Sequence, residues 1–87
     1  MEEILKVSKG LSDKTRLKIL LYLIDGEKCV CDISRHISRS QPTTSLQLIK
    51  LESLGLVSFN IYGRSRCYYI KSEKVKRIFE IFELKNQ

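Results

Sequence analysis

Ser38-Arg-Ser-Gln-Pro-Thr-Thr-Ser-Leu-Gln-Leu-Ile-Lys-Leu-Glu-Ser-Leu-Gly-Leu-Val57, followed by Tyr62-Gly-Arg-Ser-Arg66 between two β-prone runs, decides the reading of this chain. Pro42 suits the first position of a helix, where its missing amide hydrogen costs nothing. That helix runs to about Leu54, and Gly55 closes it as a left-handed C-terminal residue. Thr44, Leu48 and Leu51 recur at i, i+4 and i+7 and should face a core. Gln41, Thr43, Ser45, Leu46 and Lys50 are left for the outer faces. Leu56–Tyr62 and Arg66–Ile70 are rich in β-branched and aromatic residues, with Gly63 in the short join. This is a β-hairpin signal whose tip carries Arg64 and Arg66.

Toward the N-terminus, a short helix from near Cys31 to Ile37 places Ile33 and Ile37 on one inner face, and Ser38 to Gln41 form the turn after it. Before it, Leu17, Leu20, Leu21 and Ile24 make an apolar stripe on a helix capped by Ser12 or Asp13 and ended by Asp25-Gly26. Glu2 to about Lys9 forms a further helix, which Gly10 is expected to break. Beyond the hairpin, Ser72 can cap a last helix. Val75, Ile78, Phe79 and Phe82 share one of its faces, and Ile81 and Leu84 extend the apolar surface. A terminal helix this apolar needs more cover than one small core offers, which points to a dimerisation helix.

The 87 residues allow one domain. The net charge is +6, and five of those six charges lie between Ile33 and Ser72, where Arg35, Arg39, Lys50, Arg64, Arg66 and Lys71 face the single acid Glu52. Such a one-sign surface attracts phosphate polyanions without sequence preference. No run of ~18 apolar residues exists to span a membrane, and the start Met-Glu-Glu-Ile-Leu-Lys lacks signal-peptide order. Three cysteines, an odd count without disulfide-framework spacing, fit a reducing cytoplasm. No catalytic pairing of His, Cys and carboxylate and no phosphate-cradling glycine loop is present, so an enzyme is not expected.

The order helix, helix, short helix, turn, helix, β-hairpin, helix is that of a winged helix-turn-helix. The expected architecture is mostly α with a small β-hairpin, five helices plus a two-stranded wing, in a single domain over 1–87. In that motif the second helix of the turn pair enters the major groove of double-stranded DNA.

Leu11-Ser-Asp-Lys-Thr-Arg-Leu-Lys-Ile-Leu20, Glu27-Lys-Cys-Val-Cys-Asp-Ile33, Ser40-Gln41 with Ser45, Leu54-Gly-Leu-Val57, and Gly63-Arg64 with Tyr68-Tyr69 together resemble the ArsR/SmtB family of metal- and stress-responsive repressors, across roughly Leu11 to Ile70. The resemblance implies a cytoplasmic homodimer held by its first and last helices, binding a palindromic operator and releasing it when an inducer binds. It implies further that Gln41, Thr43, Ser45 and Leu46 meet base edges or nearby phosphates, flanked by Arg39 and Lys50. Arg64 and Arg66 would bring the wing to the backbone or minor groove. Arg16 matches the family's fixed arginine and reads as a fold-holding ion pair. Leu46 and Ile49 depart from the family's usual polar residues. They could meet thymine methyls, or mark weak DNA binding or an additional protein contact.

Glu27-Lys-Cys29-Val-Cys31-Asp32 is similar to the box by which some members bind arsenite, antimonite, lead or cadmium, so Cys29 and Cys31 are candidate ligands for As(III), Sb(III), Cd(II) or Pb(II). Neither third sulfur of the family's trigonal sites has a counterpart here: Ser34 stands at one position and the N-terminal arm has no cysteine. Cys67, in the wing, is the remaining candidate, and the family pattern places it away from the box. Residues i and i+2 lie ~200° apart on a regular helix, so Cys29 and Cys31 converge only if the box precedes or distorts the first turn. Packing residues and oxidisable thiols are the alternative readings. The final-helix zinc-type site is excluded, because Lys71–Gln87 contains no Asp or His. His36, the only histidine, reads as a surface or phosphate-facing residue. Three functions stay open: a metalloid-relieved repressor, a regulator without a metal switch, and a protein-interaction module on the same fold.

Overall fold

The computed structural model describes residues 1–82. The elements follow the order α1 (Glu2–Ser12), α2 (Lys14–Leu23), β1 (Lys28–Cys29), α3 (Val30–Ile37), α4 (Gln41–Ser53), β2 (Val57–Tyr62), β3 (Ser65–Ile70) and α5 (Glu73–Ile81). All five helices and the two-stranded wing expected from the sequence are present. The unexpected element is β1, which pairs antiparallel with β3 and completes a sheet of order β1-β3-β2. Two residues are too few to show a strand periodicity, so nothing in the pattern announced it.

Local chemistry accounts for most boundaries. Asp13 caps α2 by accepting from the Arg16 amide at 3.0 Å, and Ser40 caps α4 by accepting from the Thr43 amide at 3.2 Å. Gly55, at φ 78°, ends α4 in a Schellman motif: its own amide donates to the Glu52 carbonyl at 2.9 Å and the Leu56 amide to the Leu51 carbonyl at 3.0 Å. Ser38, at φ 57°, does the same for α3 without being glycine, and so makes the turn between α3 and α4.

Gly10 does not break α1. The helix continues through it to Ser12, and a Cβ at this buried position would collide with Leu56 Cδ1. The residue is small because α1 packs closely on the start of the hairpin, not because the backbone turns there.

One apolar cluster joins every helix to the sheet, from Val7 through Ile19, Leu20, Leu23, Ile33, Ile37, Leu48 and Leu51 to Tyr68, Val75 and Phe79. Thr44, Leu48 and Leu51 are all fully buried, as their spacing required. On α2 the most buried residues are Ile19, Leu20 and Leu23, with Leu17, Leu21 and Ile24 packed at the margin. The α5 stripe is split. Val75 and Phe79 lie in the protomer's own core, whereas Ile81 and Phe82 are exposed at 76% and 68%. Leu84 lies outside the described residues. Lys74 on α5 reaches Glu3 on α1 at 3.1 Å, so the exposed Ile4 and Leu5 belong to the helix beside Ile81 and Phe82.

Candidate nucleic-acid interface and cysteine cleft

The outer surface of α4 carries two stripes. Gln41, Ser45 and Ile49, at i, i+4 and i+8, turn toward the wing, while Thr43, Leu46 and Lys50, at i, i+3 and i+7, lie farther round. Gln41, Thr43 and Lys50 are exposed, Ser45 is half-buried, and Leu46 and Ile49 are exposed at 65% and 50%. Two full-sized apolar side chains therefore stand uncovered on the helix that the motif presents outward. The Thr43 hydroxyl accepts from Ser40 Oγ at 3.0 Å, which ties it to the cap.

The wing begins with full antiparallel register from Val57↔Ile70 to Tyr62↔Ser65, leaving Gly63 and Arg64 as the tip. Arg64 is exposed there, and Arg66 lies with its guanidinium 4.3 Å from the Phe59 ring centre, which stiffens its approach. Arg39, Lys50, Arg64 and Arg66 make no ion pair among the described residues, whereas Arg35 is held by Asp32 at 2.7 Å. The four cations singled out as phosphate contacts are thus all without an ion pair among the described residues. On the other edge, Glu27 Oε2 accepts from Asn60 at 2.8 Å and from the Tyr62 hydroxyl at 3.4 Å; the bond to Glu27 holds that phenol above its ordinary 10.0.

Arg16 makes no ion pair among the described residues. Its Nη1 donates to Gln47 Oε1 at 3.3 Å and its Nη2 to the Lys9 carbonyl at 3.3 Å, so one guanidinium joins α1, α2 and α4. The expectation of an ion pair is corrected: a neutral amide and a carbonyl take the two terminal nitrogens, the buried Nε is left without a hydrogen-bond partner, and the nearby Asp13 carboxylate is engaged by the Arg16 backbone amide instead. His36 is exposed and stacks on Tyr22, with ring centres 3.9 Å apart.

Between α4 and the wing lies a cleft of about 290 Å³. Gln41, Ser45 and Ile49 form one wall, Arg64, Ser65 and Arg66 the other, and Cys29, Val30 and Cys31 the end. The box therefore opens into the space between the two elements expected to touch DNA. Cys29 precedes α3 in extended conformation (φ −77°, ψ 155°), so the box does begin before the helix, as convergence on one ligand requires.

The expectation that Cys67 lies away from the box is overturned. The register of β1 on β3 sets Cys29 opposite Cys67 with their Cα atoms 3.9 Å apart, and the two are joined by a disulfide. The cysteine spacing, read as lacking a disulfide framework, did not foretell this bridge, which leaves Cys31 as the free, exposed cysteine. Among the described residues no three His, Cys, Asp or Glu side chains gather into a group able to hold a metal ion. The donors fit a soft thiophile as a sulfur pair, not as a closed three-ligand cage.

A three-helix core with a recognition-type helix, a capped turn before it and a cationic hairpin after it defines a winged helix-turn-helix. A family model described as bacterial regulatory protein, arsR family, matches residues 13–58, and the chain belongs to that family. A cadmium resistance transcriptional regulatory protein homologue of Staphylococcus aureus is 39% identical over 79 residues, covering 90% of this chain and 65% of that protein. The chain spans a little under two thirds of the length of that cadmium regulator and of its Listeria innocua counterpart, 65% and 62%. The arsenical resistance operon repressor of Staphylococcus xylosus is 34% identical over 98% of this chain and 82% of its own length. Among solved structures, the homodimeric winged helix-turn-helix DNA-binding domain of a possible ArsR-family regulator from Mycobacterium bovis superposes with a TM-score of 0.83 at 33% identity, covering 93% of this chain and 75% of that one. These relatives are regulators of transcription, not enzymes. Among the described residues no helix is long and apolar enough to cross a membrane.

Proposed function

We propose that this chain is a homodimeric, cytoplasmic repressor that binds a palindromic double-stranded DNA operator and releases it when a soft metal or metalloid ion binds at the Cys29/Cys31 box. The observation that carries this reading is the shared cleft: Cys29 and Cys31 end it, and Gln41, Ser45, Arg64 and Arg66 wall it. Gln41, Thr43, Ser45 and Leu46 serve as the base-edge or adjacent contacts, Arg39 and Lys50 grip flanking phosphates, and Arg64 and Arg66 hold the backbone or minor groove. An ion drawing the box sulfurs together shifts the start of α3 and so tilts α4. The names of the cadmium and arsenical relatives support As(III), Sb(III), Cd(II) or Pb(II) as the inducer class. The dimer is held through α1 and α5, where Ile4, Leu5, Ile81 and Phe82 stand uncovered in the protomer.

The Cys29–Cys67 disulfide favours a second reading, a DNA-binding regulator controlled by thiol oxidation. Leu46 and Ile49 favour a third, a protein-binding face on the same fold. Fluorescence anisotropy of the reduced protein on duplex DNA from its own promoter separates them. The repressor reading expects binding that weakens steeply with salt and is reversed by arsenite or cadmium. Binding insensitive to both ions but lost on oxidation supports the second reading, and no salt-dependent DNA binding at all supports the third.

A further inference from the structure

We infer that the sulfur pair Cys29/Cys67, bridging the strand before α3 to the wing strand, is a dithiol site for monosubstituted trivalent arsenicals. The inference rests on the sensing reading above and changes its ligand set: Cys67 replaces Cys31 as the partner of Cys29. The two cysteines are directly opposed in the antiparallel register, with Cα atoms 3.9 Å apart on neighbouring strands. Cys31 starts on the next element, in the first turn of α3, and is exposed.

The chemistry selects the ligand. A monosubstituted trivalent arsenical has two exchangeable oxygens, which two sulfurs replace in full; inorganic arsenite has three, and no third donor is gathered here among the described residues to replace the last. The cleft that reaches Cys29 also suits this class. Val30, Ile49 and Tyr68 give it apolar surface for an organic substituent, and Arg64 and Arg66 on its wing side do not oppose the entry of a neutral arsenical. Cys67 itself is only 4% exposed, so access runs past Cys29.

The steps balance. A dithiol reductant of the thioredoxin class supplies two electrons and two protons, the S–S bond breaks to two thiols, and the reductant becomes a disulfide. The hydrated arsenical then exchanges two As–OH bonds for two As–S bonds and releases two waters, with arsenic remaining trivalent. The disulfide and the arsenical adduct are therefore mutually exclusive occupants of one site.

Reduced full-length protein, freed of reductant and given one equivalent of phenylarsine oxide, tests this by intact-mass spectrometry. The wild type and Cys31→Ser should each take one phenylarsenic group, and Cys67→Ser and Cys29→Ser should take none. A footprint on the wild type needs no variant to fold: in the adduct, N-ethylmaleimide should modify Cys31 and spare Cys29 and Cys67. An adduct that survives Cys67→Ser and is lost in Cys31→Ser, a footprint sparing Cys29 and Cys31, or a wild type that takes no adduct overturns the inference. The sensing reading fails separately. An adduct mapped to Cys29/Cys67 that leaves operator affinity unchanged upholds the site and refutes the switch, whereas an adduct on Cys29/Cys31 that releases the operator does the reverse.

Discussion

Arg16 Nη1 donates to Gln47 Oε1 at 3.3 Å, tying the start of α2 to the middle of α4. The same guanidinium holds the end of α1 through the Lys9 carbonyl at 3.3 Å, so one side chain bridges α1, α2 and α4 beside their shared apolar core. Removing it leaves Gln47 and the Lys9 carbonyl without their donor. Arg16→Ala should lower stability by about 1–3 kcal/mol in urea unfolding. Arg16→Lys should recover less than half of that loss, because one ammonium cannot span both acceptors.

Gly10 offers a sharper test of packing. Alanine gains about 1 kcal/mol of helix propensity over glycine, yet its Cβ would drive into Leu56 Cδ1 with Leu51 and Leu20 close behind. Overpacking of this kind costs about 1–3 kcal/mol. Gly10→Ala should therefore destabilise the protein, by about 1 kcal/mol. In a Leu56→Ala background, where the obstructing methyl is gone, the same substitution should become stabilising. A stabilising effect in both backgrounds would show that α1 does not pack on Leu56 as described.

These cases show what the sequence makes legible. Thr44, Leu48 and Leu51 were readable because a helix repeats its buried face every 3.6 residues, and Gly55 because a left-handed C-terminus favours glycine. Gly10 was misread because a glycine demanded by tertiary packing looks the same as one demanded by the backbone. The stripe through Phe79 was assigned outward as a whole, since periodicity gives the face but not its partner. Cys67 could not be placed because β1 is two residues long, and its register depends on a partner strand 38 positions away. The wing arginines were legible from the turn; the cation–π seat of Arg66 on Phe59 was not.

The split of α5 separates folding from assembly. Phe79→Ala should cost about 3–5 kcal/mol of stability, because that ring is 1% exposed in the protomer's own core. Ile81→Asp with Phe82→Asp should instead leave the fold intact and yield monomers in sedimentation at low micromolar concentration. A wild type that sediments as a monomer contradicts the assembly account.

On the wing, replacing Arg64 and Arg66 with alanine should weaken specific and random DNA alike and reduce the salt slope by up to ~2. Ser45→Ala should leave the slope unchanged and relax discrimination between operator and scrambled duplex. Unchanged binding to both DNAs in the wing variant would remove the hairpin from the interface.

The coupling of the cysteine cleft to DNA is tested most directly by operator affinity of the reduced wild type, measured at one salt concentration with and without a saturating thiophile such as phenylarsine oxide or cadmium. An effector that favours the DNA-free state by a typical coupling of about 1–3 kcal/mol weakens the operator complex roughly 5- to 150-fold. The account predicts a loss in that range, absent in Cys29→Ser, whose affinity without the effector stays at the wild-type value. Equal operator affinity with and without these thiophiles would contradict it and leave the three cysteines as packing and bridging residues of the wing.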